Sequence, residues 1–113
     1  MKIVTRDQFI LLPAGTVYAK YQPCCFEELC IKGESISGVD FFSQSVIEIE
    51  AKDSGQYMDR LDQGQYLGES IAMDLNVQGR DGCFDANQLF AVYEPQDVRG
   101  LIDRLQQALR DSA

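Results

Sequence analysis

The chain has 113 residues, with 18 acidic against 10 basic side chains, a formal charge of -8 and no histidine. That length bounds it to one domain with a single modest core, and 45% hydrophobic with 25% charged residues is the balance of an ordinary globular protein, not a disordered one. The charge disfavours a nucleic-acid backbone or an anionic membrane surface as partner, and the missing imidazole removes the commonest general base and metal ligand.

The first predicted element is a short helix. Thr5 suits its N-cap, Gln8 three residues on completes a capping box, and Val4 and Phe9 take the staple positions. Pro13 stops it by pushing Leu12 toward extended geometry, and Ala14-Gly15 turns the chain. Residues 16–21 read as a strand, with Val17, Ala19 and Tyr21 alternating with Thr16, Tyr18 and Lys20. Pro23 ends it. Residues 27–32 repeat the alternation, with Leu29 and Ile31 against Glu28, Cys30 and Lys32. Gly33 to Gly38 is a polar connection. Residues 39–50 hold another strand or two, with Ile47 and Ile49 inward.

Asp53 and Gln56 form a second cap, for a short helix carrying Tyr57, Met58 and Leu61 on one side and stopping at Gly64. Residues 69–77 show the most regular alternation of all. Ile71, Met73, Leu75 and Val77 would be buried and Ser70, Ala72, Asp74 and Asn76 wet. Gln88 to Tyr93 is nearly all apolar and suits a central strand. The last element is a long amphipathic helix. Pro95 fits its first turn, Val98, Leu101, Ile102, Leu105 and Leu109 form a stripe at helical spacing, and Asp97 and Arg110 suit its dipole. Arg99 stands one turn from Asp103 as an expected partner.

This order predicts an α+β fold in one domain, residues 1–113: an antiparallel sheet with a short N-terminal helix, a short middle helix and a C-terminal amphipathic helix. A wet sheet face or an open strand edge would leave room for a homodimer or higher homo-oligomer. No run approaches the roughly 20 apolar residues of a membrane span, and the first residues meet charge too early for a secretory signal. A cytoplasmic, soluble protein is expected.

Little in the chain points to catalysis. Cys24, Cys25, Cys30 and Cys83 include no Cys-x-x-Cys pair and have no histidine to complete a zinc site, so free thiols without metal or other cofactor are expected. Phosphate-loop, dinucleotide-binding and nucleophile-elbow motifs are missing. Asp81 with Asp85, or Asp59 with Asp62, reads as solvated surface acid.

The stretch Gly79-Arg80-Asp81-Gly82-Cys83-Phe84-Asp85-Ala86-Asn87 is suited to binding. Arg80 can fork onto a phosphate or carboxylate, Phe84 can stack on a base, and Asn87 can read an adenine edge. The glycines let a ligand approach the backbone. The other reading is a plain hairpin loop, with Arg80 paired to an acid and Phe84 in the core. A second cluster sets Tyr18, Lys20 and Tyr21 beside Lys32, where aromatics and bases on a wet face could hold a nucleotide; the commoner reading of such a pattern is plain cross-strand pairs. Arg104, off the apolar stripe of the last helix, could reach a neighbouring site.

Two blocks carry a family resemblance. One is Leu12-Pro13-Ala14-Gly15-Thr16-Val17-Tyr18-Ala19-Lys20-Tyr21-Gln22-Pro23. The other is Gly79-Arg80-Asp81-Gly82-Cys83-Phe84, continuing through Gln88-Leu89-Phe90-Ala91-Val92-Tyr93-Glu94. Together they resemble the phage-encoded Thoeris anti-defence sponge family. The resemblance implies a non-enzymatic protein of the host cytosol that binds cyclic ADP-ribose-type signals made by bacterial TIR-domain enzymes. It implies dimers or larger assemblies with ligand near the subunit interfaces, and for some members cyclic oligonucleotide sites as well. The ligand-binding residues expected on physical grounds are Arg80 and Arg104 for phosphates, Phe84 and Tyr18 for stacking, and Asn87 for the base. The competing expectation is an acidic protein-binding inhibitor that covers a basic enzyme surface, as immunity proteins do.

Overall fold

Thr5 and Gln8 form the capping box their spacing predicts. The Thr5 hydroxyl accepts from the Gln8 N–H, the Gln8 carboxamide accepts from the Thr5 N–H, and helix α1 (Arg6–Ile10) starts there. The computed structural model describes all 113 residues. Seven strands form one antiparallel sheet: β1 (Lys2–Thr5), β2 (Val17–Gln22), β3 (Cys25–Phe26), β4 (Cys30–Ile36), β5 (Asp40–Ser45), β6 (Gly79–Arg80) and β7 (Leu89–Tyr93). The order is β1-β7-β2-β4-β5-β6, with β3 added to β2. Helix α2 (Ser54–Leu67) lies between β5 and β6 in the chain, and α3 (Pro95–Asp111) follows β7. The α+β architecture with three helices is the expected one. No helix is long and apolar enough to cross a membrane.

The core is aromatic and centres on α1. Phe9 has no exposed surface and stacks on Phe90 at 4.1 Å, with Tyr18 at 4.6 Å and Phe41 at 5.0 Å. Strand β7 is central because it is flanked by β1 and β2, which explains its unbroken apolar run. Register fixes the faces: Tyr18 lies opposite Val92 and Lys20 opposite Phe90, so both point to the side that α1 covers. The expected wet face carrying Tyr18, Lys20 and Lys32 is therefore overturned. Lys32 is only 2% exposed; its Nζ donates to the Gly33 carbonyl and the Ser35 hydroxyl, and burial lowers its pKa.

Other expectations needed correction. Residues 69–77 do not form a strand; they touch the 48–50 segment through a single bridge, Ile49 to Met73, and two flanking hydrogen bonds. Alternation builds a strand only where a neighbour supplies a ladder and a layer to face, and neither is present. Met73, Leu75, Val77 and Ile47 are accordingly exposed. Helix α2 is not short. It runs through Gly64 to a left-handed cap at Gly68, and Gly64 is small because Ile71 Cδ1 occupies the space of a Cβ. Strand β1 was unforeseen: four residues, half of them polar, become a strand only by pairing with β7. Arg99 makes no ion pair with Asp103; the six ion pairs lie elsewhere.

The presumed connection after residue 32 is mostly strand. Strand β4 continues to Ile36 with a register shift between Lys32 and Ser35. Gly33 permits it, since a Cβ there would lie 2.8 Å from Phe42 Cβ and 3.2 Å from the Phe42 carbonyl oxygen. Gly33→Ala should therefore destabilise by about 1–3 kcal/mol, read as a lower urea midpoint with an unchanged slope.

Candidate functional site

The segment around Gly79–Gly82 is fastened to the sheet by two acids. Asp40, with no exposed surface, opens β5; its Oδ1 accepts from the N–H groups of Phe41 (2.9 Å) and Gly82 (3.1 Å), and its Oδ2 accepts from Arg80 Nε at 3.0 Å. Gly82 reaches this position in the left-handed region, φ +63°, which favours glycine. Burial alone would raise the Asp40 carboxyl, but the two N–H donors and the Arg80 guanidinium outweigh it and hold the carboxyl below its ordinary value.

Asp81 is the second fastening. Its N–H donates to the Phe41 carbonyl, and its carboxylate meets Lys20 Nζ at 2.7 Å and Arg6 Nη1 at 3.5 Å. Arg6 is held in turn by a bond to the Val39 carbonyl, with its guanidinium 5.6 Å from the Phe41 ring. Two ion-pair sets, Asp40 with Arg80 and Asp81 with Lys20 and Arg6, meet at the adjacent residues 80 and 81 and tie α1, β2, β5 and β6 together.

A cleft of about 510 Å³ opens beside these ion pairs, lined by Tyr18, Lys20, Glu27, Glu28, Cys30, Ser43, Ser45, Gly79, Arg80 and Asp81. Lys20 and Arg80 supply its cations and Glu27, Glu28 and Asp81 its carboxylates. Tyr18 presents only its hydroxyl, which bonds to the Ser43 hydroxyl. Burial pushes the Tyr18 phenol well above its ordinary pKa, and the Ser43 bond offsets this only in part. Burial, then the charge of Glu28, raises the Cys30 thiol. Both groups are protonated at neutral pH, so neither is a thiolate or phenolate nucleophile.

Of the five residues expected to bind a ligand, the structure brings two together, Arg80 and Tyr18. The Tyr18 ring lies in the core against Phe9 and cannot stack on a base. Phe84 is neither in the core nor in the cleft; it is 61% exposed beside a smaller hollow with Arg6, Asp7 and Val39. Asn87 is exposed, its N–H turned back onto Asp85. Arg104 lies on α3 beside Tyr93 and Leu101. Sequence reasoning missed Asp40, Glu27, Glu28 and Ser43. Asp40 has one local signal, an acid opening the Phe41-Phe42 run, but its partner is 40 residues away.

Fold and cleft together define the class: an antiparallel α+β protein with a polar, ion-pair-walled cleft of ligand size. No family model, curated protein or solved structure matches the chain.

Proposed function

We propose that this is a non-catalytic binding protein that holds a nucleotide-type ligand in the cleft. In line with the family resemblance, its role is that of a phage-type anti-defence protein that sequesters a cyclic ADP-ribose or cyclic nucleotide immune signal in the host cytoplasm.

One observation carries the reading: the cleft sets two phosphate-type binders and two ribose-type binders around one ligand-sized volume. Arg80 is anchored to Asp40 through Nε while its side chain stays 59% exposed, which leaves its terminal nitrogens for a phosphate. Lys20 is a second cation, though a phosphate must compete with Asp81 for it. Glu27 and Glu28 suit ribose hydroxyls, as acidic residues do in dinucleotide sites. About 510 Å³ falls within the usual range of small-molecule sites, about 300–1,000 Å³. The protonated Tyr18 and Cys30 and the missing imidazole support holding over turnover.

Calorimetry with cyclic ADP-ribose isomers and cyclic dinucleotides tests this. The chain should bind at least one, and Arg80→Ala should weaken it by roughly 10- to 100-fold through loss of a charge-assisted contact. Mass spectrometry should recover the ligand unchanged. Absence of heat with every nucleotide would defeat the reading, and a chemically altered ligand would make the protein an enzyme. Recovery of one stoichiometric basic protein, with affinity falling steeply as salt rises, would favour the acidic inhibitor instead.

A further inference from the structure

The single chain is under-buried for its size. Only 13 of 113 residues are buried, and the exposed surface is 7860 Å². A compact monomer of 12.7 kDa should expose about 6,200 Å². The radius of gyration is 16.2 Å, where about 13 Å is expected. The excess is about 1,600 Å² per chain, so a pair that hides it would bury about 3,200 Å² in total, within the span of obligate homodimers.

Helix α3 is the most regular part of that excess. None of its residues is buried, and beyond its first turns Leu101, Ile102, Leu105 and Leu109 are 40%, 50%, 68% and 73% exposed. An amphipathic helix draws its stability from the surface its apolar stripe covers, and this stripe covers almost nothing of its own chain.

We propose that α3 is a dimerisation helix that packs antiparallel against α3 of a second copy. Three observations favour that occupant. Four of the five stripe residues, Val98, Ile102, Leu105 and Leu109, are spaced 4-3-4 and read the same in both directions, with Leu101 flanking them, so a two-fold axis near residues 103 and 104 sets Val98 opposite Leu109 and Ile102 opposite Leu105. That is the self-complementarity an isologous interface requires. Antiparallel pairing also places the two bodies at opposite ends of a helix about 26 Å long, which separates two net charges of -8. And the apolar hollow at the base of α3, about 610 Å³ and lined in part by Val4, Leu12, Val92 and Val98, lies where the partner's Leu109 end arrives.

Sedimentation equilibrium of the purified full chain tests this. Wild type should weigh twice 12.7 kDa. Leu105→Glu should dissociate roughly 100-fold more readily, because the pair would have to bury an unpaired charge. Its circular dichroism should still show the folded chain, since Leu105 is exposed there. Spin labels carried by an unnatural residue at position 112 should lie about 25 Å or more apart. A wild type that is monomeric at every concentration would overturn the proposal. So would a Leu105→Glu variant that stays dimeric, dissociation by Leu75→Glu in its place, or labels about 10 Å apart, the spacing of a parallel pair.

Discussion

Phe9→Ala should destabilise the protein by about 3–5 kcal/mol, the cost of emptying an aromatic site in a packed core. Phe9 is the hub of that core: it meets Tyr18, Phe41 and Phe90, and through them β2, β5 and β7. Its loss also strips α1, five residues long, of its main anchor. The buried cluster has six members, so little remains to compensate. Natural domains hold roughly 5–15 kcal/mol in all, and a melt followed by circular dichroism should show the transition lowered by roughly 15 °C or more, or lost. Phe84→Ala is the control. Phe84 is 61% exposed, and its truncation should stay within about 0.5 kcal/mol.

Asp40→Ala should have the next largest effect. It leaves the N–H groups of Phe41 and Gly82 without an acceptor and frees Arg80 from the sheet. The midpoint should fall by roughly 10 °C, and protection of the Gly82 amide against hydrogen exchange should be lost. Any nucleotide bound in the cleft should be lost as well, since Arg80 is then no longer held at its wall. Asp40→Asn separates charge from shape. The folded carboxyl titrates below its ordinary value of 3.8, so its contribution is complete above about pH 4 and disappears as pH falls through the lower folded value. The wild type should lose stability with acid in that window, and Asp40→Asn should lose less there from a lower starting point. Equal slopes in the two proteins would show that Asp40 is not the group responsible.

Residues with a local reason for their conformation were legible in the sequence. Thr5 with Gln8 and Asp53 with Gln56 are contacts three residues apart, and both caps formed. The site was legible only in fragments. Arg80 has the anion-binding chemistry its type predicts, but uses its Nε on Asp40. Tyr18 has the ring of a stacking surface, but that ring belongs to the core. Phe84 and Asn87 share a loop with Arg80 and yet lie outside its cleft, because Gly82 turns the chain immediately after β6.

The sequence by itself determined the helix starts, the amphipathic stripe of α3, the apolar run of β7 and the α+β class, since each follows from periodicity or from contacts within one turn. Tertiary structure alone decided which face of β2 is buried, that β1 is a strand and residues 69–77 are not, and that Asp40, Asp81, Lys20 and Arg80 meet. Those outcomes depend on pairings across as many as 90 positions of the chain, as between Lys2 and Val92. A strand alternates whether or not a neighbour exists to pair with it; only the assembled sheet supplies the neighbour, the covered face and the partner for each charge.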